Sequence, residues 1–173
     1  PELRSLVRAL LKLEQSRTQN AWQTYLVGFS AATVALALVM TLLPPTEWDS
    51  LVYHLVGPEI YLRSHRFVID WDNYYLFFPS LTEMLFTAGM ALKGDVVPRL
   101  IHFGYFLLTA GALLAFADRY WERSVGLLAA AFFLSISTAV QIATWSYVDL
   151  ALTFYNLAAI YALVNWFSKQ TLS

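Results

Sequence analysis

Residues able to move protons or hold charge crowd into EWDSLVYHLVGPE, residues 47–59, and an acid recurs in ATWSYVDLALT, residues 143–153. A carboxylate fixed on the first turn of a short helix makes a rigid base or metal ligand, and Asp49 has that position. It also closes the pattern Thr46-x-x-Asp49, a capping box in which the acid would bond back to the cap amide. Tyr53, four residues on, shares the Asp49 face. His54 lies off that face, open to two readings: an interfacial hydrogen-bonding residue or a partner in catalysis. Asp149 either opens a helix, where the helix dipole favours negative charge, or meets Asp49. The second requires both acids on one side of a membrane, and together they would then form a base or a divalent-metal site.

The stretch DWDNYY offers Asp70 and Asp72 as a cation pair or as turn acids bonded to their own backbone. Trp71, Tyr74, Tyr75, Phe77 and Phe78 suit an aromatic belt at headgroup level, or the lining of a lipid or sugar site. Cations in this region are Arg63, Arg66, Lys93 and Arg99. With net charge −1 and pI near 6.3, no nucleic-acid partner is expected. With no cysteine there are no disulfides and no thiolate metal sites.

The elements that must position these groups follow from hydropathy. The 173 residues are 58% hydrophobic and only 13% charged, with mean hydropathy +0.54; a soluble domain keeps about a quarter of its residues charged. The pattern predicts an all-α polytopic membrane protein. Four stretches match the length a hydrocarbon core demands: 25–43, 100–117, 125–144 and 150–167. Residues 81–92 are short, contain Glu83, and suit a helix lying in or dipping into the interface. In residues 1–24, Leu3, Leu6, Val7, Leu10 and Leu11 alternate at helical spacing with Arg4, Arg8, Lys12 and Arg17. That spacing reads as an amphipathic helix on an anionic membrane surface or against a partner. Gly57 and Pro58 should kink or stop the helix that carries Asp49.

Charge arbitrates the topology. If 81–92 does not cross, Arg4, Arg8, Lys12, Arg17, Arg119, Arg123 and Lys169 share the cytoplasmic side. The order is then a cytoplasmic helix (1–24), span one (25–43), a long external segment with juxtamembrane helices (44–99), and spans two to four (100–173). An external segment of that length is where function is expected. Ser135, Thr138 and Asn156, inside the later spans, read as interhelical glue.

The phrases EWDSLVYHLVGPEIYL, FFPSLTEMLFTAGMALKGDVVPRLIHFGYFLLTAGALLAFADRYWERSVGLLAA and ATWSYVDLALTFYNLAAIYALVNW resemble the N-terminal part of the GT-C glycosyltransferases. The branch they resemble is the protein O-mannosyltransferase and aminoarabinose transferase type. The resemblance covers residues 25–167 and only the early spans of such enzymes. It implies a polyprenyl-phosphate sugar as donor, transfer at the external membrane face, and residence in the bacterial inner (plasma) membrane with the N-terminus cytoplasmic. It puts Asp49 at the catalytic centre as base or metal organiser, with Asp149 approaching it. Transfer also needs positive charge where the phosphate leaves, for which Arg63, Arg66, Lys93 and Arg99 are the external candidates, and Tyr53, His54, Arg63, Arg66 and Asp149 are the expected substrate-binding groups. Because the sequence begins at Pro1 and lacks the later spans, a piece of a longer chain is expected. The alternative is a small accessory subunit packed among other membrane subunits.

Overall fold

A peptide group cannot stay unbonded in hydrocarbon, so uncharged apolar stretches satisfy their backbone as helices. The computed structural model describes the backbone of residues 2–68 and 71–170 and the side chains of 21–68 and 71–168. The described residues are helical and contain no strand. The side chains of the N-terminal face, Asp70 and the side chain of Lys169 lie outside them.

Helix α1, Glu2–Thr41, runs 40 residues without a break, a rod of about 60 Å. Its backbone does not turn at residue 24, so the expected surface helix and span one are one element. Two short helices follow, α2 (Val56–Ser64) and α3 (Leu81–Lys93), and α3 coincides with the short helix expected over 81–92. Helix α4, Val96–Tyr120, is the central post. Phe103, Phe106 and Ala110 of α4 form the core with Ala37, Leu134, Ala143 and Leu150.

Three helical stretches are long and apolar enough to cross a membrane: Ala21–Thr41, Val96–Tyr120 and Asp149–Ser168, the last within α7 (Asp149–Gln170). The outer two bury only 11% of their apolar windows against protein, which leaves the remainder to face lipid. The expected continuous span over 125–144 is instead two helices, α5 (Arg123–Ser135) and α6 (Ser137–Ala143), meeting at 72°. Ile136 between them is extended, with φ −68° and ψ 107°. The preceding Ser135 hydroxyl donates to the Phe132 carbonyl at 2.7 Å, a local bond that competes with the helical ladder.

Glue between helices comes from other residues than expected. Ser135 bonds within its own helix, and Thr138 and Asn156 are exposed. Side-chain bonds between α4 and α7 include Tyr105 to Tyr155 at 3.1 Å and the Tyr120 hydroxyl to Asn165 Oδ1 at 2.9 Å.

One end of the bundle gathers the end of α1, the start of α4 and the turn before α7. His102, fully buried on α4, is the clasp: its Nδ1 donates to the Trp145 carbonyl at 2.9 Å and its Nε2 accepts the Leu150 N–H at 3.1 Å. Accepting on Nε2 requires the neutral ring with the proton on Nδ1.

Candidate functional site

After α1 ends, Leu42 and Leu43 fold back on the carbonyls of Val39 and Met40, and Pro44 and Pro45 carry the chain away from the rod. The Thr46–Asp49 capping box does not form. Glu47 takes its place, accepting the Thr46 N–H at 3.2 Å and the Thr46 hydroxyl at 3.1 Å. Asp49 is already helical, with φ −64° and ψ −39°, and its side chain makes no cap bond.

Residues Ser50–His54 form a single π-helical turn, closed by the Leu55 N–H on the Ser50 carbonyl at 3.0 Å. Such turns concentrate at functional sites because the extra residue re-aims the side chains around it. The change of helix falls at Leu55, two residues before the expected Gly57-Pro58 break. Both residues sit in the first turn of α2, where a proline loses no helical bond.

The Tyr53 phenol has its pKa pushed up to about 12 by burial first, then by the Asp49 charge and by hydrogen bonding toward the Asp49 side chain. Tyr147 and Asp149 raise it further. The Tyr147 phenol is raised by burial and by Asp49, Glu47 and Asp149, while the Asp49 backbone N–H pulls it the other way. Two acids a hundred positions apart therefore act on the same two phenols.

His54 is a hydrogen-bonding residue, and it is withdrawn from solvent. It is 3% exposed, with Nδ1 2.8 Å from Oε1 of Glu83 on α3. The second Glu83 oxygen is buried with no partner among the described residues. This pair escapes sequence reasoning; its one signal is an acid near the start of an otherwise apolar short helix. Tyr53 stacks on Tyr75 at 5.0 Å and 14°, with Phe78 edge-on to both. Asn73 secures that loop by donating to the Val52 carbonyl of the π turn at 2.8 Å. Of the expected aromatic belt, Tyr75 and Phe78 make ring contacts with Tyr53, and Phe78 stays exposed together with Trp71, Tyr74 and Phe77.

Two cavities flank this wall. The larger, 670 Å³, is lined by Glu47, Trp48, Arg99, Thr144, Trp145 and Tyr147 among others. The second, 440 Å³, lies against Tyr53, His54, Glu83 and the start of α7. Arg63 and Arg66 line neither: both are exposed, and Arg63 pairs with Glu59 one turn earlier. The cation brought to the site is Arg99, 2% exposed, held by the Asp95 carboxylate at 3.7 Å and the Asp95 carbonyl at 3.4 Å. Among the described residues no three His, Asp or Glu side chains group as a metal cage.

No protein-family model matches the chain, and no solved structure matches it. Over 133 residues it is 22% identical to an uncharacterised protein of Shigella flexneri, a match that takes in 76% of this chain and 66% of that protein. The chain thus spans just under two thirds of that relative's length.

Proposed function

We propose that this chain is the N-terminal region of a GT-C-type membrane glycosyltransferase that moves a sugar from a polyprenyl-phosphate donor to an acceptor at the external membrane face. The observation that carries the reading is the shared influence of Asp49 and Asp149 on Tyr53 and Tyr147, beside a cavity with a buried arginine. In the reaction the acceptor hydroxyl gives its proton to the Asp49 carboxylate as its oxygen bonds to the sugar C1. The bond from C1 to the phosphate oxygen breaks, and polyprenyl phosphate leaves with the electron pair. Arg99 supplies positive charge to that phosphate, where preorganised charge is worth most. Tyr53, a hydrogen-bond donor to Asp49, fixes the orientation of the base. A divalent ion on Asp49 and Asp149 would add charge neutralisation at the leaving phosphate.

The topology that goes with this reading has four crossings, the bent α5–α6 pair counting as one, and a cytoplasmic N-terminus in a bacterial inner membrane. Its support is the bond from Ser146 to Ser50 and the bonds of Trp145 and Leu150 with His102 near the start of α4. Because the chain has no cysteine, single cysteines report topology cleanly. A membrane-impermeant maleimide should label Lys93→Cys and spare Glu122→Cys in intact cells.

The decisive experiment measures sugar transfer from a polyprenyl-phosphate donor by the full-length protein in membranes. Asp49→Asn should lower transfer about a hundredfold or more with insertion unchanged. Unimpaired transfer by this variant would exclude the proposed base. An inert wild-type chain that co-purifies in fixed ratio with other membrane proteins would establish the accessory subunit instead.

A further inference from the structure

The His54–Glu83 pair has no part in the reaction above, yet it forms the polar corner of a cavity of its own. The rest of that 440 Å³ space is mostly apolar, with Phe78, Leu81, Val148 and Leu152 in its lining beside Thr82, Tyr53 and Tyr155. Glu83 fixes the imidazole by taking Nδ1 at 2.8 Å, and no described residue bonds Nε2. A carboxylate-oriented imidazole presents one defined hydrogen-bonding atom to a ligand. The buried second oxygen of Glu83 is a further acceptor without a protein partner, and such a group is expected to find one.

Position decides how a ligand arrives. Leu81 is 75% and Leu152 63% exposed at the rim, and Leu152 belongs to the first turn of the apolar Asp149–Ser168 stretch. The mouth is therefore apolar and continuous with a surface that suits lipid, so an apolar chain can enter sideways. Charge decides the head. Glu83 lines the space, and Asp49 and Asp149 both act on Tyr53 in its wall, whereas no lysine or arginine lines it. A phosphate head would meet acidic groups here; the buried Arg99 serves the other cavity.

We infer that the cavity between Tyr53, the His54–Glu83 pair and α7 is a binding site for a single-chain lipid with a hydrogen-bond-donating head, an alcohol or an amine. The apolar chain lies against Leu81, Val148 and Leu152, and the head donates to the His54–Glu83 corner. This site does not depend on the transfer reaction, and its test reads binding alone.

A photoreactive diazirine analogue of farnesol, presented to the full chain in nanodiscs, provides the probe. It should label residues 78–83 and 148–155, and farnesol and farnesylamine should displace it at concentrations about tenfold lower than farnesyl phosphate does. Leu152→Trp, which fills the mouth from an exposed position, should cut labelling about fivefold or more, while Leu163→Trp, further along the exposed face of α7, should not. Glu83→Gln keeps a neutral partner for His54 and should weaken farnesylamine more than farnesol, separating the amine from the alcohol. Farnesyl phosphate competing as well as farnesol would overturn the inference. So would labelling that survives Leu152→Trp and spreads over α1 and α4, the pattern of bulk lipid.

Discussion

The backbone N–H of Ser146 donates to the hydroxyl oxygen of Ser50 at 3.3 Å, joining two fully buried residues 96 positions apart. Asp49 is the neighbour of one and Asp149 lies three residues beyond the other, so this bond helps hold the two acid-bearing segments together. Ser50→Ala leaves a buried N–H unpaired and should cost about 1–3 kcal/mol. Thermal unfolding in detergent measures it, and Ser50→Thr, which keeps the acceptor, should recover part of the loss. An alanine variant as stable as wild type would mean the two segments are held elsewhere.

Tyr53 predicts a pH dependence. Its phenol titrates near 12 and not at the ordinary 10.0, so the folded state holds that proton more tightly than the unfolded chain does. Its contribution to stability is complete below pH 10.0 and is lost as pH rises through about 12. Phenolate absorbance, taken as the difference between the protein and its Tyr53→Phe variant, isolates this group from the other tyrosines. Asp49→Asn should move the midpoint down while leaving it raised, because burial is the larger cause. A midpoint indifferent to Asp49→Asn would break the proposed hydrogen bond.

Arginine substitutions separate the cation the structure selects from those it leaves outside. Arg99→Gln should lower kcat/KM for the polyprenyl-phosphate donor about 10- to 100-fold, the worth of a charge-assisted contact to phosphate. Arg63→Gln, changing an exposed residue paired only with Glu59, should stay within about twofold. The reverse order would return the phosphate to the distal end of α2.

Packing makes a prediction at Gly126. A Cβ there would lie 3.0 Å from the Cβ of Ala117 and 3.3 Å from the backbone of Leu114, so only a small residue lets α5 close on α4. Gly126→Leu should destabilise by about 1–3 kcal/mol. Gly111, with nothing near its missing Cβ, should accept the same change with far less loss. Equal unfolding temperatures for the two leucine variants would show that the α4–α5 contact is looser than described.

The sequence by itself determined the all-helical class, the position of α3 and three apolar helices long enough to cross a membrane. It also separated the charged segments from the apolar ones. These are local properties: a run of uncharged apolar residues must close its own hydrogen bonds, and that requirement is readable wherever the run lies. Tertiary structure alone decided the rest. The Thr46–Asp49 spacing fits a cap, yet Glu47, one residue nearer, occupies the Thr46 donors and leaves Asp49 to Tyr53. Arg63, Arg66 and Arg99 are equivalent as letters, and only the packing of α4 buries the last beside the cavity. The bend at Ile136 and the pairing of His54 with Glu83 likewise depend on which helices meet. Bonds that span 29, 43 and 96 residues fix the candidate site, and no local periodicity encodes partners at such separations.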